Sequence, residues 1–160
     1  MKLNNFFFII FICLSASLSA QQTEKWKIDR LEKYIKDSER PLIVNFWATF
    51  CKPCIEEIPY FQNLVKKYDS EGIDLLLVSL DLKEAYPKIK EFATKYRFNS
   101  SIVYLDETNA DLFCPKVDER WSGAIPASLF VNNKTGYRNF FEEQISEKKL
   151  EQEIKMLIKK

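Results

Sequence analysis

Histidine is absent from this 160-residue chain, methionine occurs twice and glycine three times. Without histidine, the commonest metal ligand is missing, and Met1 and Met156 are the only thioethers, so a copper carrier would find few ligands here. Three glycines leave few loose joints. No internal repeat, low-complexity tract or Pro/Ser-rich linker divides the chain, and its length suits one domain. An excess of one charge is missing too. Lys2 is the only charged residue among the first twenty, and the remaining Lys and Arg balance the 23 acidic residues. A chain neutral after loss of that segment offers no electrostatic footprint for nucleic acid or an anionic membrane. What is present is 46% hydrophobic residues, enough for a real core.

The N-terminus reads as a secretory signal. MKLNN is a short positive region, Phe6 to Leu14 an apolar stretch, and SASLSAQQ a small-residue cleavage region. The apolar run is shorter than the roughly 18 residues that span a bilayer. Cleavage is expected near Ala20–Gln21, with Ser19 a competing position, giving a signal over 1–20 and a domain over 21–160; an uncleaved anchor is the alternative. Phe11 and Ile12 before Cys13 do not make a lipoprotein site, so Cys13 leaves with the signal. Export places the protein in the periplasm or cell envelope, where disulfides persist.

Periodicity predicts a helix over Trp26–Lys36 and a buried strand over Leu42–Trp47. A second helix, Lys52–Tyr68, is ended by Gly72. A buried strand follows at Ile73–Leu80, a helix at Glu84–Tyr96 and a short strand at Ser101–Leu105. Residues 110–123 read as irregular with one helical turn. Ala127–Val131 and Tyr137–Phe141 flank a hairpin turn, and Ser146–Ile158 is a last helix with Ser146 as a partial cap. Strand–helix alternation ending in a hairpin predicts an α/β fold, a three-layer sandwich with a mixed central sheet.

Three cysteines remain after the signal, an odd number that fits one pair and one spare thiol better than a disulfide scaffold. In NFWATFCKPCIEEIP, Cys51 stands where the strand run stops and a helix starts. A helix N-terminus carries free N–H groups and partial positive charge, which stabilise a thiolate. Lys52 adds positive charge, and Pro53 costs little in a first helical turn. Cys54, three residues on, can close a small ring with Cys51. A purely structural disulfide across so short a loop would stabilise weakly. A zinc site would need Cys114 plus an oxygen to complete it. Two inert thiols would leave Pro53 unexplained. The spacing and its strand–helix setting favour a redox couple, in which one thiol attacks a disulfide and the other resolves the mixed disulfide.

NFWATFCKPC resembles the active-site segment of thioredoxin-like proteins, and more closely that of exported TlpA/ResA-type thiol–disulfide oxidoreductases. The resemblance runs from about Trp26 onward and is strongest at residues 42–61 and 123–131. It implies a thioredoxin fold with an N-terminal extension. It also implies Cys51 as nucleophile, Cys54 as resolving thiol, and Pro59 as the proline that kinks the helix. By the same resemblance Pro126, in GAIPASLFV, is a cis-proline, with the backbone of Ile125 available to an extended substrate; spacing alone favours trans. Asn45 stands where thioredoxin has a buried aspartate. Glu57, at i+3 from Cys54, matches a glutamate common in the family and is the candidate acid/base; its competing reading is a solvated helix carboxylate like Glu56. Trp47 and Trp121 are expected to frame the site surface, with plain core packing as the competing reading, and Trp47, Lys52, Pro53, Ile125 and Pro126 to meet substrate.

The resemblance further implies no cofactor or metal beyond the Cys51–Cys54 disulfide. The expected partners are protein thiols and disulfides, apocytochrome c among the candidates, and an upstream membrane electron donor. Within enzymes, a disulfide oxidase or a thiol peroxidase is the alternative; Thr49 and Cys51 echo a peroxidatic site, although Thr49 stands two residues too close. From another class, a metal chaperone of the same fold is the alternative. Cys114 is expected to be a semi-buried structural thiol, with a regulatory or intermolecular thiol as the competing role.

Overall fold

The computed structural model describes residues Thr23–Lys159. The expected signal segment, its cleavage position and Cys13 lie outside the described residues. The elements run β1 (Glu24–Trp26), α1 (Ile28–Lys36), β2 (Leu42–Trp47), α2 (Lys52–Lys67), β3 (Asp74–Ser79), α3 (Ile89–Lys95), β4 (Ser101–Leu105), α4 (Ala110–Val117), β5 (Ala127–Asn132), β6 (Tyr137–Phe141) and α5 (Glu147–Leu157). They form one six-stranded sheet in the order β1-β4-β3-β2-β5-β6. β1, β4, β3 and β2 are mutually parallel; β5 runs antiparallel to β2, and β6 antiparallel to β5. The expected three-layer sandwich with a mixed sheet is what forms.

All six residues of β2 are buried, which is why LIVNFW shows no polar alternation: both faces of this central strand are covered. Alternate side chains go to opposite layers. Ile43 and Trp47 join a core with Ile58 and Phe61 of α2 and Leu150 and Ile154 of α5. Leu42, Val44 and Phe46 join the other, with Leu31 of α1 and Phe113 and Val117 of α4. Asn45 therefore faces α2.

Four boundaries depart from the sequence reading. Trp26 belongs to β1, paired parallel with Leu105 at the sheet edge, and α1 starts only at Ile28. Three residues are too few to show a strand period. Gly72 does not end α2, which stops at Lys67; its left-handed backbone (φ 66°) closes a 3-10 turn over Asp69–Glu71. The helix expected from Glu84 begins as a 3-10 turn, Tyr86–Lys88, because Pro87 lacks an N–H for the α ladder. The segment read as irregular contains two helical turns, α4, capped by the Asn109 side chain, which accepts from Asp111 N at 3.0 Å. Pro115 inside α4 masked it. Ser146 caps α5 as expected, accepting from Lys149 N.

Candidate active site

Cys51 and Cys54 are joined by a disulfide, with their Cα atoms 5.3 Å apart. Cys51 is the N-cap of α2, and its sulfur accepts the Cys54 backbone N–H at 3.3 Å. Pro53 lies in the first turn, where a missing N–H is tolerated. Cys54 is fully buried and Cys51 is 7% exposed, so of the two only Cys51 offers any surface to an incoming thiol. When the disulfide opens, the same N–H and the helix N-terminus face a Cys51 thiolate and stabilise it. The Lys52 side chain is exposed and lies 3.8 Å from Glu56, one turn on.

Beneath the pair, Glu57 is fully buried. Its Oε1 accepts from Asn45 Nδ2 at 2.8 Å and its Oε2 from the Ile145 backbone N–H at 2.9 Å. Asn45 Nδ2 also donates to Ser128 Oγ at 3.0 Å, across the β2–β5 register in which the two residues pair. Burial pushes the Glu57 carboxyl up to about 7, with the bonds from Ile145 and Asn45 pulling the other way. A buried carboxyl one turn beyond Cys54 that titrates near neutrality can hold a proton or take one. The solvated-carboxylate reading fits only its neighbour Glu56, which is exposed.

The Ile125–Pro126 peptide bond is cis. Phe46 pairs with Ala127, so Pro126 stands opposite Trp47, where β2 ends and the turn to Cys51 starts. The loop leading to it is held from two sides. Glu142 Oε1 accepts from Ser122 N at 3.0 Å, Ser122 Oγ at 2.5 Å and Ala124 N at 2.9 Å. Trp121 Nε1 donates to the Ala124 carbonyl at 2.9 Å. Gly123, at φ 99°, takes a backbone conformation that a side chain would strain. Ile125 remains half-buried at the edge of a groove of about 580 Å3 that runs past Phe50, Leu82 and Phe113.

Two expected residues are elsewhere. Trp47 is fully buried, packed on Phe92 and Phe98, so its ring is core and offers no surface to a substrate. Trp121, 4% exposed, packs on Phe46 and props the Pro126 loop from inside. Thr49, the peroxidatic echo, gives its hydroxyl to Asp81 Oδ1 at 2.5 Å. Ser128, Glu142 and Asp81 were missed. Each acts across strands or loops, and only the strand register shows it. Cys114 is buried in α4 on the opposite layer, deeper than the semi-buried place expected.

The AhpC/TSA family model matches residues 15–136. A thiol-disulfide oxidoreductase ResA of Oceanobacillus iheyensis is 35% identical over 71 residues, which is 44% of this chain and 36% of that protein. The match thus spans about a third of the length of that curated relative. Among solved structures, a thioredoxin-related protein of Neisseria meningitidis serogroup B superposes with a TM-score of 0.63 at 25% identity, covering 75% of this chain and 86% of that one. A secreted Mycobacterium tuberculosis disulfide oxidoreductase, homologous to E. coli DsbE, gives 0.57 at 16% identity over 74% and 83% of the two chains, a likeness of fold alone. The fold is the thioredoxin fold.

Proposed function

We propose that this chain, which belongs to the AhpC/TSA family, is a thiol–disulfide oxidoreductase that reduces disulfides of exported proteins through Cys51 and Cys54. The observation that carries the reading is the Cys51–Cys54 disulfide at the N-terminus of α2, with Cys51 as its accessible sulfur and the cis Pro126 opposite the end of β2. In the reduced enzyme the Cys51 thiolate attacks one sulfur of a substrate disulfide. That bond breaks, the leaving sulfur takes up a proton, and a Cys51–substrate disulfide forms. Cys54 then passes its thiol proton to the Glu57 carboxylate and attacks the Cys51 sulfur. The second substrate thiolate leaves, and the Cys51–Cys54 disulfide is restored. An external dithiol donor at the membrane returns the two electrons.

Ile125 lines the groove, and its backbone next to the cis Pro126 is the part offered to an extended substrate strand, with Lys52 and Pro53 following Cys51 in the first turn of α2. The export pattern of residues 1–20 supports a place in the envelope, and the secreted mycobacterial neighbour is consistent with it. The hydroxyl of Thr49, engaged by Asp81, counts against the peroxidase alternative.

The test is the equilibrium reduction potential of the pair, by thiol trapping in defined redox buffers. A value near thioredoxin's, about −270 mV, supports a reductase, whereas one near −120 mV makes the protein an oxidant and overturns the direction. A pair that does not cycle at all overturns the redox reading.

A further inference from the structure

We propose that Asp81 is a positioning residue, whose carboxylate holds the turn that delivers Cys51 once the disulfide is open; this rests on the dithiol-exchange reading above. The β2–β3 ladder ends at the Trp47–Ser79 pair, followed by one more bond from Leu80 N to the Trp47 carbonyl at 2.8 Å. β2 then turns sharply, with Cys51 N bonded to the Ala48 carbonyl at 3.0 Å. Thr49 and Phe50 are the central residues of that turn, and past the ladder's end no strand is left to take the Thr49 N–H. Asp81 takes it. Its Oδ1 accepts from Thr49 N at 3.0 Å and Thr49 Oγ1 at 2.5 Å, and its Oδ2 from Thr49 N at 3.2 Å and Ser79 Oγ at 2.8 Å. Ser79 Oγ in turn accepts the Asp81 N–H at 3.2 Å. Ser79 fixes Asp81, and Asp81 fixes the turn. At 5% exposure, these bonds meet little competition from water.

In the oxidised protein four links hold Cys51: its turn, the Asp81 clamp, the Ile55 N–H on its carbonyl at 3.1 Å and the covalent bond to Cys54. In the reduced protein the covalent link is gone, so losing the clamp costs the reduced form more. The Cys51 sulfur would then leave the Cys54 N–H it meets at 3.3 Å. Its thiolate would lose that donor and the helix N-terminus, and the redox equilibrium would move toward the disulfide. A carboxylate acting only by its charge predicts the reverse, since its removal would favour the thiolate. The other charged groups here are Lys83, Asp106 and Glu107 in the same groove, Lys52 and Glu56 on α2 and Glu57 beneath the pair, and all stay in place in the variants below.

The experiment compares the full chain with Asp81→Ala, Asp81→Asn and Thr49→Ala. The readouts are the pH midpoint of Cys51 alkylation by iodoacetamide, the rate of exchange with a small disulfide, and the equilibrium with a reference dithiol. For Asp81→Ala we expect a raised midpoint, an exchange about tenfold slower and an equilibrium shifted about tenfold toward the disulfide, about 30 mV more negative. Asp81→Asn keeps an acceptor for the Thr49 N–H and stays close to the parent in all three. Thr49→Ala keeps the N–H bond and moves part of the way; it decides the matter if Asp81→Ala does not fold. A lowered midpoint in both Asp81 variants overturns the proposal in favour of charge. Unchanged midpoints and rates with a lowered melting temperature overturn it in favour of a structural role. A parent pair that fails to cycle sinks the exchange reading itself, whatever Asp81 does.

Discussion

The start of α2 and the middle of α4 each bury a cysteine, and the two thiols are built for opposite behaviour. Cys51 is 7% exposed and Cys114 2%, so burial hardly separates them. Position on the helix does. Cys51 caps α2, and a backbone N–H aims at its sulfur. Cys114 lies inside α4 among Phe113, Val117 and Trp121, where burial, and then the Glu142 and Asp111 carboxylates, push its thiol up to about 11. A thiolate is favoured at the first site and suppressed at the second. Reactivity here follows the donors and charges that meet the sulfur, and a buried cysteine is not inert merely because it is buried.

The largest expected effect comes from breaking that contrast at its reactive end. Cys51→Ser should bring reduction of insulin disulfides by a dithiol to the uncatalysed rate, and Cys114→Ser should leave catalysis within about twofold of the parent; equal losses in both variants would refute the assignment. Next in size is Cys54→Ser. Without the resolving thiol, a Cys51–substrate disulfide should accumulate on non-reducing gels, and Cys51 rather than Cys114 should be the residue linked on peptide mapping.

Glu57→Gln should act more gently and through pH. The folded carboxyl titrates near 7, and the unfolded one near its ordinary 4.5. Between those values the folded state holds the extra proton. Stability of the parent should therefore fall as pH rises through that window and level off above 7. Urea unfolding midpoints from pH 4 to 8 should show this slope in the parent and a flatter line in Glu57→Gln. The rate at which Cys54 resolves the mixed disulfide should likewise lose its inflection near pH 7; an inflection that persists in the variant removes Glu57 from the proton path.

The same contrast explains what could be read in advance. Cys51, Cys54 and Pro53 were legible because a helix start is a local event, written in consecutive residues after an apolar run. The layers were legible too, since LIVNFW and DLLLVS are buried on both faces and say so by composition. Asp81, Ser128 and Glu142 were not. Their roles come from which residue lies opposite which across a strand pair or a loop, and no local period carries that. A polar residue just past a parallel strand, beside the strand that feeds the cysteines, was the one available hint for Asp81. Trp47 was the residue for which a place framing the site surface competed with plain core packing. The strand's alternation points its ring into the α3 layer, against Phe92 and Phe98.

The smallest effect belongs to the inert end of the comparison. Cys114→Ala removes one buried sulfur and should lower stability by on the order of 1 kcal/mol, with the redox potential of the Cys51–Cys54 pair unchanged. The sulfur also lies 3.7 Å from where a Cβ on Gly123 would sit, in the loop that carries Pro126. That nearness makes the variant informative beyond stability. If α4 serves only as packing beneath the loop, exchange rates should hold while the urea midpoint drops. A fall in exchange rate with an unchanged midpoint would mean that the interior of α4 sets the loop's position, and the division between a reactive and an inert region would no longer hold. In the native, reduced protein, a limiting dose of iodoacetamide at pH 8 should label Cys51 before Cys114, whose labelling should wait on unfolding.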